Sequence, residues 1–93
     1  MNPQIIINQK EKPEDVEVMI VDDDHFILNM DKTKFELSGF KVKTASNGQE
    51  ALDMARSGFT PDVLLIDIIM PVMNGLDFLK HIREENIFEH VPI

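Results

Sequence analysis

Hydrophobic positions in this chain fall into three short runs, and each run gives way to a stretch where they recur at helical spacing. The first run is VEVMIV, Val16 to Val21, mostly β-branched and closed by the acids Asp22, Asp23 and Asp24. So short and apolar a segment reads as a buried strand leading into a helix, with Asp24 placed as the N-cap. At 100° per residue, His25, Asn29, Lys32, Thr33 and Glu36 share one polar side, while Phe26, Ile27, Leu28, Met30, Phe35 and Leu37 cover a broad apolar arc. An arc that wide suits a helix that touches more than one neighbour. Ser38-Gly39 then supplies a stop, since glycine readily takes the left-handed conformation common after a helix end.

The second run, FKVKTA, alternates Phe40, Val42 and Thr44 with Lys41 and Lys43. Alternation leaves one face wet, and lysines guard an exposed edge, so this is an edge strand. SNGQEALDMARSG follows, with Asn47 as N-cap and Glu50 three residues on in a capping-box variant, then Ala51, Leu52 and Ala55 at helical spacing and Gly58 as the stop. The third run, Val63 to Ile66, comes after Pro61 and ends on Asp67, and NGLDFLKHIREEN continues as a helix whose inner side is expected to carry Leu76, Phe78, Leu79 and Ile82.

Strand and helix in alternation, three times over, predict an α/β fold with right-handed crossovers and a parallel sheet. The two solid apolar strands, ending at Asp22 and Asp67, are read as central and the lysine-bearing one as peripheral, which gives the spatial order second, first, third. Winding reverses between the first and third strands, and open parallel sheets bind ligands outside the strand carboxyl ends at such a switch point. Asp22, Asp23 and Asp67 all map there.

Composition narrows the chemistry. Ninety-three residues make one small domain, read as a polar leader over residues 1–15, with an apolar Ile5-Ile6-Ile7 inside it, and a folded unit over 16–93. Seventeen acidic against nine basic side chains give a formal charge of -8, which disfavours nucleic acid and anionic lipid and favours cations or basic partner surfaces. Cysteine is absent, which removes disulfides and thiolate metal sites and suits a cytoplasmic setting. No apolar run approaches the roughly 18 residues that span a bilayer.

Three carboxylates brought together repel one another and ask for a cation. An all-oxygen, partly hydrated set suits magnesium, with manganese as a substitute. A carboxylate is also a nucleophile that can form an acyl phosphate when a cation neutralises the transferring group. Asp67, presented singly, is the candidate nucleophile, and the Asp22-Asp23 pair is the candidate ion holder. His25 reads as a solvent-facing first-turn residue, and the scattered methionines as packing and loop residues.

VMIVDDD, SNGQEAL and DIIMPVMNG together resemble the receiver domain of two-component response regulators, over about Val16 to Ile93. The resemblance implies a flavodoxin-like, doubly wound parallel sheet of order 2-1-3-4-5, of which the fourth strand is only begun at Val91 to Ile93. It further implies Asp67 as phosphoacceptor and as a metal ligand, Asp23 as a direct magnesium ligand, Asp22 as a ligand through water, and Ile69 offering its backbone carbonyl to the metal. The phosphoryl group would come from a phosphohistidine of a sensor histidine kinase or phosphotransfer protein, in a signalling switch rather than a turnover enzyme.

The family also uses a Ser or Thr after the fourth strand and a Lys after the fifth, and residues 1–93 offer no counterpart of either. Slow or absent phosphorylation is therefore expected, together with self-association through apolar surface on residues 26 to 37 and at the sheet edge. Two rival readings are a phosphorylation-inert interaction module of receiver-like outline and a magnesium phosphohydrolase using Asp22 and Asp24 as its Asp-x-Asp loop.

Overall fold

Strand β1, Glu17–Val21, is buried from Val18 onward. The computed structural model, which describes residues 12–67, 70, 72–89 and 91, sets it between β2, Lys41–Ala45, and β3, Val63–Ile66, in the parallel order β2-β1-β3. Val18 lies opposite Val42 on one side and Val63 on the other, and Val21 opposite Ala45 and Ile66. The period-2 alternation of a strand divides β1 between two cores. Met19 and Val21 join the cluster built with α2, Gly48–Arg56, and α3, Gly75–Glu84, while Val18 and Ile20 join the cluster under α1, His25–Leu37.

Each helix starts at a side-chain cap, the first two at the residues the sequence predicts. The Asp24 carboxylate accepts from the backbone N–H groups of Phe26 and Ile27 (2.9 and 3.2 Å), Asn47 accepts from Glu50 (2.8 Å) and Asn74 from Asp77 (2.9 Å). Glu50 reaches back, but to the Ser46 hydroxyl at 2.8 Å. Gly39 and Gly58 end α1 and α2 with φ of +96° and +102°, as the sequence predicts. Ahead of the sheet, a 3₁₀ turn at Pro13–Asp15 packs Pro13 against Gly39. At the start of the sheet Asp62 locks β3 to β1: its N–H donates to the Glu17 carbonyl and its carboxylate accepts the Glu17 N–H, both at 2.8 Å.

Four expectations are corrected or refined by the structure. Among the described residues β3, read as central, pairs only with β1, and Val63, Leu65 and Ile66 are half-buried. A solid apolar run reports that both faces of a strand are covered, which helices accomplish, and says nothing about pairing at its edges. Leu76 does not face inward and is 61% exposed, whereas Phe78 and Ile82 are buried and Leu79 packs partly beside them. Two residues back on a helix is about 160° away from Phe78, so no rotation buries both. The apolar arc of α1 touches the sheet through Leu28 and Phe35, while Phe26, Met30 and Leu37 stay exposed. Val91, read as the start of a fourth strand, donates its N–H to the Phe88 carbonyl at 3.1 Å and packs against the α2–α3 cluster. Ile93 lies outside the described residues.

Candidate functional site

The ladder that orders the sheet also delivers the acids. One residue past β1, the Asp22 N–H donates to the Ala45 carbonyl (3.2 Å). One residue past β3, the Asp67 N–H donates to the Val21 carbonyl (2.9 Å). Both aspartates are therefore held by backbone at the carboxyl end of adjacent strands, at the predicted switch point. Asp22 is fixed further because its Oδ1 accepts the Asp24 N–H at 2.9 Å. This turn throws Asp23 outward beside its neighbours.

Carboxylate oxygens of Asp22, Asp23 and Asp67 all lie within 4.8 Å of one another. All three side chains reach solvent, so Asp67 carries its charge at the wet end of β3 rather than inside the core. Asp24 is not part of the cluster. Its Oδ1 caps the N-terminus of α1, and the fold groups Asp22 with Asp23 and Asp67 rather than with the Asp24 of an Asp-x-Asp loop. His25 is exposed at the start of α1, as expected. The fourth candidate ligand, the Ile69 carbonyl, lies outside the described residues.

The donor set fits a small hard cation. With metal–oxygen distances of about 2.1 Å, adjacent corners of an octahedron are about 3.0 Å apart and opposite corners about 4.2 Å, so three oxygens within 4.8 Å of one another would draw together around the ion. Exposed carboxylates leave room for the waters that magnesium retains.

Two residues at the site carry features that hydrophobic patterning did not single out. The Gly48 N–H donates to the Met73 carbonyl at 3.0 Å, and a Cβ on Gly48 would meet that oxygen at 2.4 Å. Val72, next to it, has φ of +70°, a costly conformation for a β-branched residue. The Asn47-Gly48 pair is the one sequence signal that could have flagged the close approach, because glycine at a helix start is also where another backbone can come near.

A family model described as the response regulator receiver domain matches residues 18–93. The polar-differentiation response regulator DivK of Brucella anthropi is 36% identical over 82% of this chain and 61% of its own length. Among solved structures, the chemotaxis response regulator CheY4 of Vibrio cholerae superposes with a TM-score of 0.77 at 36% identity, over 84% of this chain and 64% of that one. The response regulator TrrA of Thermotoga maritima, solved in complex with Mg(2+)-BeF, gives a TM-score of 0.68 at 34% identity over 75% and 60% of the two chains. The 93 residues thus span about three fifths of the length of these relatives.

Proposed function

The chain belongs to the response regulator receiver domain family, and from that premise we propose that it is a phosphoacceptor signalling switch in which Asp67 receives the phosphoryl group and Asp22 and Asp23 hold magnesium. The observation that carries this reading is the convergence of three carboxylates, from positions 22, 23 and 67, within 4.8 Å at the carboxyl end of the sheet. A bound divalent cation would offset the negative charge of the transferring group. An Asp67 oxygen attacks phosphorus, the bond from phosphorus to the donor breaks with its electron pair leaving on the donor atom, and an acyl phosphate remains. Asp22 is pre-oriented by its turn bond to the Asp24 N–H, so little side-chain freedom is lost when the ion binds.

Donors of matching chemistry are a phosphohistidine on a sensor histidine kinase or phosphotransfer protein, and a cytoplasmic setting fits them. The Ile69 carbonyl would add a ligand.

Intact mass spectrometry of the chain incubated for hours with magnesium and a small acyl phosphate tests the assignment. One phosphoryl group is expected on the wild type and none on Asp67→Asn. Equal addition to both overturns Asp67. No addition to the wild type leaves the alternative, an inert interaction module, which the exposed Phe26, Met30 and Leu37 of α1 favour.

A further inference from the structure

Helix α2 is stitched to the chain around α3 at both ends. At its carboxyl end Arg56 forks onto Glu85, with Nε to Oε1 at 2.9 Å and Nη2 to Oε2 at 2.6 Å. At its amino end the stitch is the Gly48 N–H on the Met73 carbonyl, at 3.0 Å. The two differ in kind. The first joins long, exposed side chains. The second joins backbone to backbone at a buried glycine, and it lies six residues from Asp67 on the segment leading out of the acidic cluster.

Three anchors bound that segment. Asp67 is held by its N–H on the Val21 carbonyl at 2.9 Å, Met70 by burial of its side chain to 7% exposure, and Met73 by Gly48. Val72, between the last two, keeps a left-handed φ of +70° while its side chain is 83% exposed. Its own burial gives it no reason to be there. An unfavourable backbone conformation persists only where its flanks over-determine it, and here the flanks are the buried Met70 and the clamped Met73. Asn74 then caps α3 through the Asp77 N–H, so the clamp also sets where α3 begins.

We infer that Gly48 is a positioning residue for the acidic cluster: by admitting the Met73 carbonyl to its own N–H, it fixes the far end of the segment that carries Asp67 and holds that carboxylate in register with Asp22 and Asp23. This rests on the metal-binding reading of the cluster. A methyl group at position 48 removes the approach, since its Cβ would lie 2.4 Å from the Met73 oxygen and 3.0 Å from its carbonyl carbon. Neither atom is the free end of a flexible side chain. Because coupling is reciprocal, an ion that gains affinity from the clamp must also tighten the clamp.

Manganese binding, followed by the electron paramagnetic resonance signal of the free ion, tests this on four chains. Gly58→Ala is the control. Gly58 needs its left-handed φ of +102° but has nothing within 4 Å of the added methyl, at the other end of α2, so it lowers stability without touching the clamp. Wild type and Gly58→Ala are expected to bind alike, Asp23→Asn not at all, and Gly48→Ala with an affinity lower by about threefold to thirtyfold. If Gly48→Ala matches Gly58→Ala while Asp23→Asn has lost binding, the clamp plays no positioning part and the inference is wrong. If the wild type fails to bind, or Asp23→Asn binds as well as it does, the metal reading itself falls and takes the inference with it. Hydrogen exchange on the wild type keeps the test decisive should Gly48→Ala not fold. Protection of the Gly48 amide must rise as magnesium is added, and protection indifferent to the ion overturns the proposal.

Discussion

The two faces of the sheet are built to different standards. Among the described residues, eleven buried side chains make the core on the α2–α3 side and five make the core under α1. On the first side, Phe78 is fully buried, tilts against Phe88 with ring centroids 6.5 Å apart, and packs among Met19, Leu52, Leu64 and Ile82. On the second, α1 rests on Val18 and Ile20 through Leu28 and Phe35, with Phe40 edge-on to Phe35 at 5.8 Å, and its remaining apolar residues face outward. Both faces feed the same site. Asp22 and Asp23 lead into α1, and Asp67 leads toward α3, so the cluster joins a well-packed side to a thinly packed one. Hydrophobic content alone does not set stability; what counts is how much of it finds a neighbour.

The sharpest way to break the contrast is to empty each core in turn. Phe78→Ala is expected to cost about 3–5 kcal/mol and Leu28→Ala about 2–3 kcal/mol, because the thinner layer around Leu28 relaxes into the space more easily. Urea unfolding followed by far-ultraviolet circular dichroism measures both, since the chain has neither tryptophan nor tyrosine to report by fluorescence. Equal costs would show that the faces are packed alike. Next in size is an effect on association rather than stability. Leu37→Gln, at a side chain 84% exposed, should move stability by no more than about 0.5 kcal/mol. If the bare face of α1 joins copies of the chain, it should also lower their association in sedimentation, and an unchanged profile removes α1 from any such contact.

The smallest effect lies at the Arg56–Glu85 fork. The guanidinium beside Glu85 holds that carboxyl below the usual carboxylate range, and His81, 3.6 Å away, acts in the same direction when protonated. A depressed folded-state value means the pair stabilises above the carboxyl's unfolded value and loses its contribution as pH falls through the folded one. Exposure to water and salt keeps it modest. Glu85→Gln should therefore lower the melting temperature slightly near neutral pH, and the difference from wild type should shrink in acid. A difference that grows in acid would contradict the sign.

Much of the molecule can be read along the chain because its signals are local. Asp24, Asn47 and Asn74 announce helix starts since the capping bond spans only two or three residues. Gly39 and Gly58 announce ends through their own dihedral freedom. The order β2-β1-β3 follows from Lys41 and Lys43 marking an edge and from the handedness of crossovers. Asp22, Asp23 and Asp67 become a plausible cluster once that order is known, because a parallel sheet brings strand ends together.

Tertiary structure decided what depends on pairs distant in sequence or on the phase of a helix. Leu76 and Phe78 look equally apolar as letters, and only docking against Met19 and Leu64 selects the face that carries Phe78. Val63 to Ile66 reads as a strand covered on both faces, yet whether its outer edge is paired depends on another segment. Gly48 resembles an ordinary residue at a helix start until the Met73 carbonyl arrives from 25 positions away. Periodicity and caps are fixed by neighbours a few bonds apart, whereas contact across the fold depends on where the whole chain has placed both partners.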